Sequence, residues 1–167
     1  MKVIAAVVLV LLFLAPPVIS QVLDDKLIVP GQRIGNWTLE MTIQALTRAN
    51  GQPALVSPPI WGDGLPGLVE HYWPAIGLRA GTFDGQSIAY IEVDPENTAY
   101  KTEKGIGWNS PSAAVTTAYG TPTAITTAGY GRSRWIYDSI GLSFIVLNFV
   151  RRAEIFKPGS ARSIWKF

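Results

Sequence analysis

The sequence predicts an α+β protein built from two tandem copies of a short helix followed by an antiparallel β-meander. An internal repeat is the first observation, since positions of the first copy recur at a nearly constant spacing in the second. The second is a helix-ending Gly-x-Pro in each copy, and the third is a series of β-type segments separated by Gly-containing turns. The matched pairs are Leu46 and Val115, Gly51 and Gly120, Pro53 and Pro122, and Leu78 and Leu142.

Residues 1–20 have the pattern of a secretory signal peptide. Lys2 precedes an uninterrupted apolar run from Val3 to Ala15, and the small residue Ser20 ends the segment. We expect cleavage before Gln21, export to a periplasmic or extracellular location, and an N-terminal extension over 21–35. The alternative is an uncleaved membrane anchor, but a span needs about 20 apolar residues, and this run is shorter even when it is extended through its prolines. Membrane contact is expected only if this segment is retained.

The first copy is predicted over 36–98. Thr42 can cap its helix because the side-chain oxygen accepts a free amide of the first turn, and Gly51 ends it. A helix of about eight to ten residues is marginal in isolation, so we expect it to pack on the strands. A surface loop rich in Gly and Pro covers 57–67. The predicted strands, rich in Val, Ile, Thr and aromatic residues, are 54–56, 69–73, 78–82 and 87–94.

The second copy is predicted over 99–160, and the two copies are joined near 95–104. Ser110 followed by Pro111 is predicted to open its helix, since Ser caps a first turn and Pro fits the first helical position. Gly120 is predicted to end the helix. The predicted strands of this copy are 123–127, 133–137, 142–149 and 153–157.

Two of the six tryptophans are candidates for contact with a partner. Trp61 lies in the Gly- and Pro-rich loop, and an aromatic side chain held in an exposed loop is a common binding anchor. The alternative is a ring folded back over the base of the loop. Trp165 lies in the C-terminal tail, 161–167, and is expected either to dock on the sheet or to contact a partner.

The composition excludes several kinds of chemistry. Hydrophobic residues make up 48% of the chain and there is no cysteine, so disorder, disulfides, thiolate metal sites and cysteine nucleophiles are excluded. The single histidine, His71, is adjacent to Glu70 in a predicted strand, where neighbouring side chains point to opposite faces, so the two are a poor base and orienter pair. The acidic residues near the end of the first copy match no calcium-loop spacing. We expect no catalytic residue, metal or cofactor.

The charge is divided between the two copies. Residues 21–98 carry four basic and nine acidic side chains, a net charge of −5, whereas residues 99–167 carry nine basic and three acidic ones, a net charge of +6. Alternate turns of a meander lie at the same end of a sheet, so four arginines are predicted to gather at one end of the second copy. Guanidinium groups there suit carboxylate or phosphate groups. These arginines are Arg132, Arg134, Arg151 and Arg152, and the corresponding end of the first copy carries Asp63 and Asp84.

Two roles for these ends stay open. They either face each other within the molecule or form a surface for an anionic partner. A third interpretation is that the arginines merely solvate the ends of strands, because runs of charge usually mark solvated faces. Nucleic acid is not expected as a partner, since export precludes most of it and no recognised motif accompanies the basic half.

The repeat also resembles a known family. The second copy reads Gly107-Trp-Asn-Ser-Pro-Ser-Ala-Ala-Val115 and then Ala118-Tyr-Gly-Thr-Pro122, and the first has Met41-Thr42 followed by Gly51-Gln-Pro53. This is similar to the repeats of β-lactamase-inhibitor-protein-like and BamE-type (SmpA/OmlA) proteins. The resemblance implies short helices packed on one face of an antiparallel sheet, with tandem copies joined into a larger curved sheet. It also implies binding of proteins or cell-envelope components, without shared catalytic residues.

These observations favour an exported, non-enzymatic module that binds another protein or an anionic envelope component. The first alternative is a structural envelope protein anchored by an uncleaved N-terminal helix. A less favoured alternative is a small hydrolase that uses His71 or a pair of carboxylates.

Overall fold

An eight-stranded antiparallel sheet organises the computed structural model, which describes residues 25–57, 67–94 and 99–167. The predicted signal peptide and the predicted contact residues Trp61 and Asp63 lie outside the described residues. In chain order the elements are β1 (Leu27–Val29), β2 (Arg33–Ile34), β3 (Trp37–Thr38), α1 (Ile43–Asn50), β4 (Leu55–Val56), β5 (Val69–Trp73), β6 (Leu78–Thr82), β7 (Tyr90–Val93), β8 (Lys101–Thr102), α2 (Ser112–Tyr119), β9 (Ala124–Thr127), β10 (Ser133–Tyr137), β11 (Leu142–Leu147), β12 (Phe149–Phe156) and α3 (Ala161–Ile164).

The large sheet has the strand order β4-β5-β6-β7-β12-β11-β10-β9. Each half of the chain contributes a four-stranded meander, and the last strands of the two meanders, β7 and β12, pair antiparallel at the centre. The register runs from Tyr90 opposite Phe156 to Val93 opposite Ala153. The predicted α+β class with an antiparallel sheet is confirmed.

Both halves also share local contacts. In the first half the indole Nε1 of Trp73 donates a hydrogen bond to the carbonyl of Gly51 at 2.8 Å. In the second half the hydroxyl of Tyr137 donates to the carbonyl of Gly120 at 3.2 Å. A one-turn 3₁₀ helix follows each of these aromatic residues, at Pro74–Ile76 and Asp138–Ile140, and a left-handed glycine ends both.

The helices begin differently. Thr42 caps α1 as predicted, because its Oγ1 accepts a hydrogen bond from the amide of Ala45 at 3.1 Å. The predicted Ser110 cap of α2 is wrong: Pro111 occupies the cap position, and no side chain caps the helix. Ser110 lies one residue too early to reach the first turn, and its hydroxyl instead accepts from the amide of Gly107 at 3.1 Å.

Strands β5, β6 and β10 match their predicted bounds, but the hairpin between β11 and β12 does not. The sequence predicts a turn at 150–152, whereas the chain turns at Asn148, which has a left-handed φ of 58°. Asn tolerates this conformation better than other non-glycine residues because its short polar side chain can bond locally. As a result Arg151 and Arg152 lie within β12 rather than in a turn.

A second, four-stranded sheet was not predicted. Its order is β3-β2-β1-β8, and β1 pairs in parallel with β8 through Leu27 opposite Lys101 and Ile28 opposite Thr102. The segment 21–35, predicted as an extension, therefore supplies two strands, and these tie the start of the described chain to the connection between the meanders.

The two faces of the large sheet are covered by different elements. Buried side chains from α1 and α2, including Leu46 and Val115, belong to one cluster with alternate residues of the strands. On the opposite face α3 and the buried ring of Trp165 pack on Tyr90 and Phe156. Trp165 therefore docks on the sheet, which was one of its two expected roles.

Candidate functional site

An open cavity of about 450 Å³ lies at one end of the large sheet and gathers three of the four predicted arginines. We call this region the arginine end. It is lined by Asp94, Trp108, Tyr130, Arg132, Leu147, Arg151 and Arg152.

The antiparallel topology brings these residues together. The β9–β10 turn supplies Arg132, and this turn lies at the same end of the sheet as the β11–β12 hairpin. A register shift between Ile145 and Val146 leaves Arg151 without an opposite residue on β11, since Ile145 faces Arg152 and Val146 faces Val150. Such bulges re-aim side chains at the ends of sheets. Here the bulge places two consecutive arginines beside one cavity.

Aromatic rings complete the arginine end. Tyr130 is 94% exposed and has a left-handed φ of 50°, between Gly129 and Gly131. A bulky residue in this backbone region costs about 1–3 kcal/mol. The guanidinium of Arg132 lies 5.3 Å from the centre of the Tyr130 ring, and Trp108 is 38% exposed. The site therefore presents flat rings next to cationic groups.

The three arginines differ in how far they are already paired. Arg152 donates from NH1 to Oε1 of Glu92 at 3.2 Å, and Arg132 donates from Nε to the carbonyl of Gly129 at 3.3 Å. Within the described residues Arg151 makes no side-chain hydrogen bond or ion pair. The site thus holds donors that remain available to an anionic group.

Arg134, the fourth predicted arginine, is not at the arginine end. Its Nε and NH2 donate to the two carboxylate oxygens of Glu154 at 2.8 and 2.9 Å, and its guanidinium lies 4.6 Å from the centre of the Trp165 ring. Arg134 was predicted beside a turn, but it lies within β10, where side chains alternate between the two faces of the sheet. Its side chain lies on the same face as that of Glu154 on β12, two strands away, and binds it.

Asp84 also lies elsewhere. Tyr90 pairs with both Gly81 and Phe156, so the turn over 83–89 lies at the opposite end of the sheet from the arginines. Of the two roles left open for these ends, the one in which Asp84 faces the arginines within the molecule is therefore wrong. Its carboxylate accepts bonds within its own turn, and those from Ser87, Gln86 and Thr82 hold the pKa of Asp84 well below its usual range.

A buried ion cluster next to the arginine end was not predicted from the sequence. Glu92 and Glu154 lie directly opposite each other on β7 and β12, and their side chains are 6% and 1% exposed. The hydroxyl of Ser143 donates to Glu154, and that of Tyr90 donates to Glu70. The buried ion cluster consists of Glu70, Arg79, Glu92, Arg134, Arg152 and Glu154.

The two central carboxyl groups have different environments. Burial, together with the neighbouring charge of Glu154, raises the pKa of Glu92 to about 8, although Arg152 and Arg79 oppose the shift. Burial alone would also raise the pKa of Glu154, but the paired Arg134 and the bond from Ser143 bring it below its ordinary value. One carboxylate and one carboxylic acid therefore share the centre of this face near neutral pH.

This arrangement predicts a stability that falls as the pH rises. Folded Glu92 keeps its proton up to about pH 8, whereas its reference pKa is 4.5, so its contribution is fully present below about pH 4.5 and is lost as the pH rises through 8. The lowered pKa of Glu154 has the opposite effect: its contribution to the free energy of unfolding is present above about pH 4.5 and is lost only as the pH falls further. Below about pH 6.5 the lowered pKa of His71 acts in the opposite sense, because the unfolded chain binds that proton more readily than the folded one. Urea unfolding from about pH 6.5 to 8 should therefore show a falling free energy of unfolding, with a slope of at most about 1.4 kcal/mol per pH unit.

The matched variant is Glu92→Gln, an uncharged isostere of the acid. We expect its free energy of unfolding to change much less over the same range, and to exceed that of the wild type at the alkaline end. A wild-type curve that rises with pH in this interval would contradict the assignment of the proton to Glu92.

His71 has a structural environment. Its ring lies 6.3 Å from that of Trp73 at 26°, and burial lowers its pKa. The adjacent Glu70 bonds instead with Arg79 and Tyr90, so it does not orient the imidazole.

Metal sites and membrane spans are separate questions. In the described parts of the chain, no group of three His, Asp or Glu side chains is placed to hold a metal ion. No helix among those residues is long and apolar enough to cross a membrane.

Comparisons with known proteins give a distant structural likeness. No protein-family model matches the sequence, and no curated protein matches it. Among solved structures, the chain is similar to a DUF4309 family protein (YjgB) from Bacillus subtilis subsp. subtilis str. 168, with 14% sequence identity and a TM-score of 0.41. The match covers 70% of this chain and 78% of that chain. A likeness at this level carries no functional residue across to this chain.

Proposed function

We propose that this protein is an exported, non-enzymatic binding module whose arginine end takes a negatively charged group of another protein or of a cell-envelope polymer. One observation carries the proposal: Arg132, Arg151 and Arg152 converge on a single open cavity together with two exposed aromatic rings. A guanidinium fork matches a carboxylate, phosphate or sulfate group, and a ring beside it adds apolar contact area.

The conformation of Tyr130 supports this role. A tyrosine that is 94% exposed contributes little to the core, yet its backbone adopts a costly left-handed conformation. Strain of this kind is often found at ligand-contacting positions. Arg132 in the same turn lies against the ring, so the turn presents a cation and an aromatic surface together.

The proposal of a non-enzymatic role is supported by the environments of the two candidates for catalysis, the Glu92–Glu154 carboxyl pair and His71. Glu92 and Glu154 are nearly closed to solvent, and both already accept bonds from arginines. His71 stacks near Trp73 without a carboxylate partner. A general acid or base must reach a substrate within hydrogen-bond distance, and these groups are packed against their own neighbours.

We also propose that the two halves are tandem copies of one unit, with the helices on one face of a curved sheet. The shared element order supports this, as do the aromatic-to-glycine bonds of Trp73 and Tyr137 and the left-handed glycines Gly77 and Gly141. Each of these pairs keeps the spacing of the sequence repeat.

Export is proposed from the pattern of residues 1–20. N-terminal sequencing of the protein from its native source should find a chain that starts at Gln21. A native chain that still carries Lys2 would instead favour the structural protein anchored by an uncleaved helix.

Binding should fail when the free donors of the arginine end are removed. We expect the double variant Arg132→Ala/Arg151→Ala to lose at least about tenfold in affinity for the envelope fraction that retains the wild type, since charge-assisted bonds contribute about 1.5–3 kcal/mol each. The measurement is retention of mature chain 21–167 on immobilised native envelope extract, separated into protein and polymer fractions.

The control is Arg48→Ala/Arg162→Ala, which removes the same charge from two exposed helix positions outside the cavity. Equal losses for both double variants would mean that net charge, and not the arginine end, governs retention. Retention of the wild type by neither fraction would argue against the binding role itself.

A further inference from the structure

Arg152 is part of both the arginine end and the buried ion cluster. Its side chain lines the cavity of the arginine end, and its NH1 donates to Oε1 of Glu92 at 3.2 Å within the buried ion cluster. The side chain is 27% exposed, whereas that of Glu92 is 6% exposed. An anion in the cavity and the Glu92 carboxylate therefore draw on the same guanidinium.

The surroundings of Glu92 determine the effect of turning Arg152 towards an anion. Arg79 of β6 lies 3.3 Å from the same Oε1, and Glu154 of β12 lies opposite on the neighbouring strand. Arg134 of β10 is held by Glu154, and the hydroxyl of Tyr90, on the same strand as Glu92, is bonded to Glu70 of β5. Without Arg152, the Glu92 carboxylate would keep one cation and still face another carboxylate.

We propose that a bound anion and the ionised Glu92 compete for Arg152, so that anion binding at the arginine end is coupled to protonation of Glu92. This inference rests on the proposed binding function and adds its regulation. Binding draws the guanidinium towards the anion and makes the ionised form of Glu92 less favourable, so the site takes up a proton. By thermodynamic reciprocity, protonation of Glu92 raises the affinity for the anion by the same factor.

The geometry favours this coupling because Glu92 is poised to change its charge. Burial and the facing Glu154 already place its pKa at about 8, so a modest change in its surroundings alters its protonation in the weakly alkaline range. Protonation also removes one negative charge from beside the cavity, which further favours an anion there.

The test uses short dextran sulfate oligomers, because sulfate esters keep their charge throughout the range measured, with neutral dextran as the blank. At fixed ionic strength, the affinity of the wild type should fall at least about fivefold between about pH 6.5 and about pH 9. Glu92→Gln should bind with a nearly constant affinity close to the acidic wild-type value. Glu103→Gln, an equal change of charge at an exposed residue outside the arginine end, should keep the wild-type pH dependence.

Calorimetry on the wild type gives a second readout that needs no variant. Titrations near pH 8 in two buffers with different ionisation enthalpies should show uptake of a fraction of one proton per binding event. Binding with no proton uptake, or a Glu92→Gln curve parallel to the wild type, would overturn the coupling and leave the binding function standing. No binding of dextran sulfate at either pH would overturn both.

Discussion

Replacing Arg134 with methionine is expected to destabilise the protein by about 3–5 kcal/mol near neutral pH, because it leaves the buried carboxylate of Glu154 without its cation. Both oxygens of Glu154 lose a bond from the guanidinium, and the donors that remain beside them are the Ser143 hydroxyl and the carboxyl of Glu92. The side chain of Glu154 is 1% exposed, so water cannot compensate. Urea unfolding of wild type and variant measures the difference.

The pH dependence of the stability of this variant shows whether the loss comes from the missing charge of Arg134 or from its missing packing contacts. Arg134 lowers the pKa of Glu154, so its removal lets Glu154 take up a proton under mildly acidic conditions, and the destabilisation should shrink as the pH falls. The double variant Arg134→Met/Glu154→Gln should be more stable than the single one, because the unpaired carboxylate is gone. Arg48→Ala, at an exposed position of α1, serves as the control. A loss that is equal at all pH values would point to packing against Trp165 instead.

Phe144→Ala is expected to cost about 3–5 kcal/mol by leaving a cavity between the sheet and α2. Phe144 is fully buried, and its ring lies 5.8 Å from that of Tyr119 at the end of α2 and 6.4 Å from that of Tyr137. The helix is only eight residues long and its N-terminus has no side-chain cap, so it depends on packing against the sheet. Thermal or urea unfolding measures the change.

Phe149→Ala is the matched control for this substitution. Phe149 is 40% exposed at the start of β12, so its truncation should cost about 1–1.5 kcal/mol, well below the loss expected for Phe144→Ala. Similar losses for the two variants would contradict the placement of the core between α2 and the sheet.

Local patterns in the sequence account for much of the fold. Strands β5, β6 and β10 were predicted at their observed bounds because each is a short β-type run closed by a glycine or a polar turn. The hairpin at Asn148 was missed because the apolar run continues through Phe149 and hides the turn. The small sheet was missed because its strands have only two or three residues, which is too short for a recognisable alternation.

The site was predictable only where it depends on meander topology. Alternate turns lying at one end of a sheet were enough to predict that Arg132 lies near Arg151 and Arg152, but not that the two arginines lie within β12 beside a bulge. Arg134 bonds Glu154 because both side chains lie on the same face of the sheet, which the sequence does not specify. The bond from Arg152 to Glu92 connects the two halves of the chain across the central β7–β12 pair. Pairing of that kind is set by how the two meanders join. The glycines around Tyr130 were a local signal of an exposed aromatic turn, and it was overlooked.

The location of the bound anion tests the central claim most directly. In a titration of isotope-labelled protein with dextran sulfate oligomers, followed by amide resonances, the largest shifts should fall in the β9–β10 turn around Arg132 and at the start of β12 around Arg151. The turn around Asp84, at the opposite end of the sheet, should stay unchanged. Shifts spread evenly over the basic residues, or centred on the Asp84 end, would contradict a binding site at the arginine end.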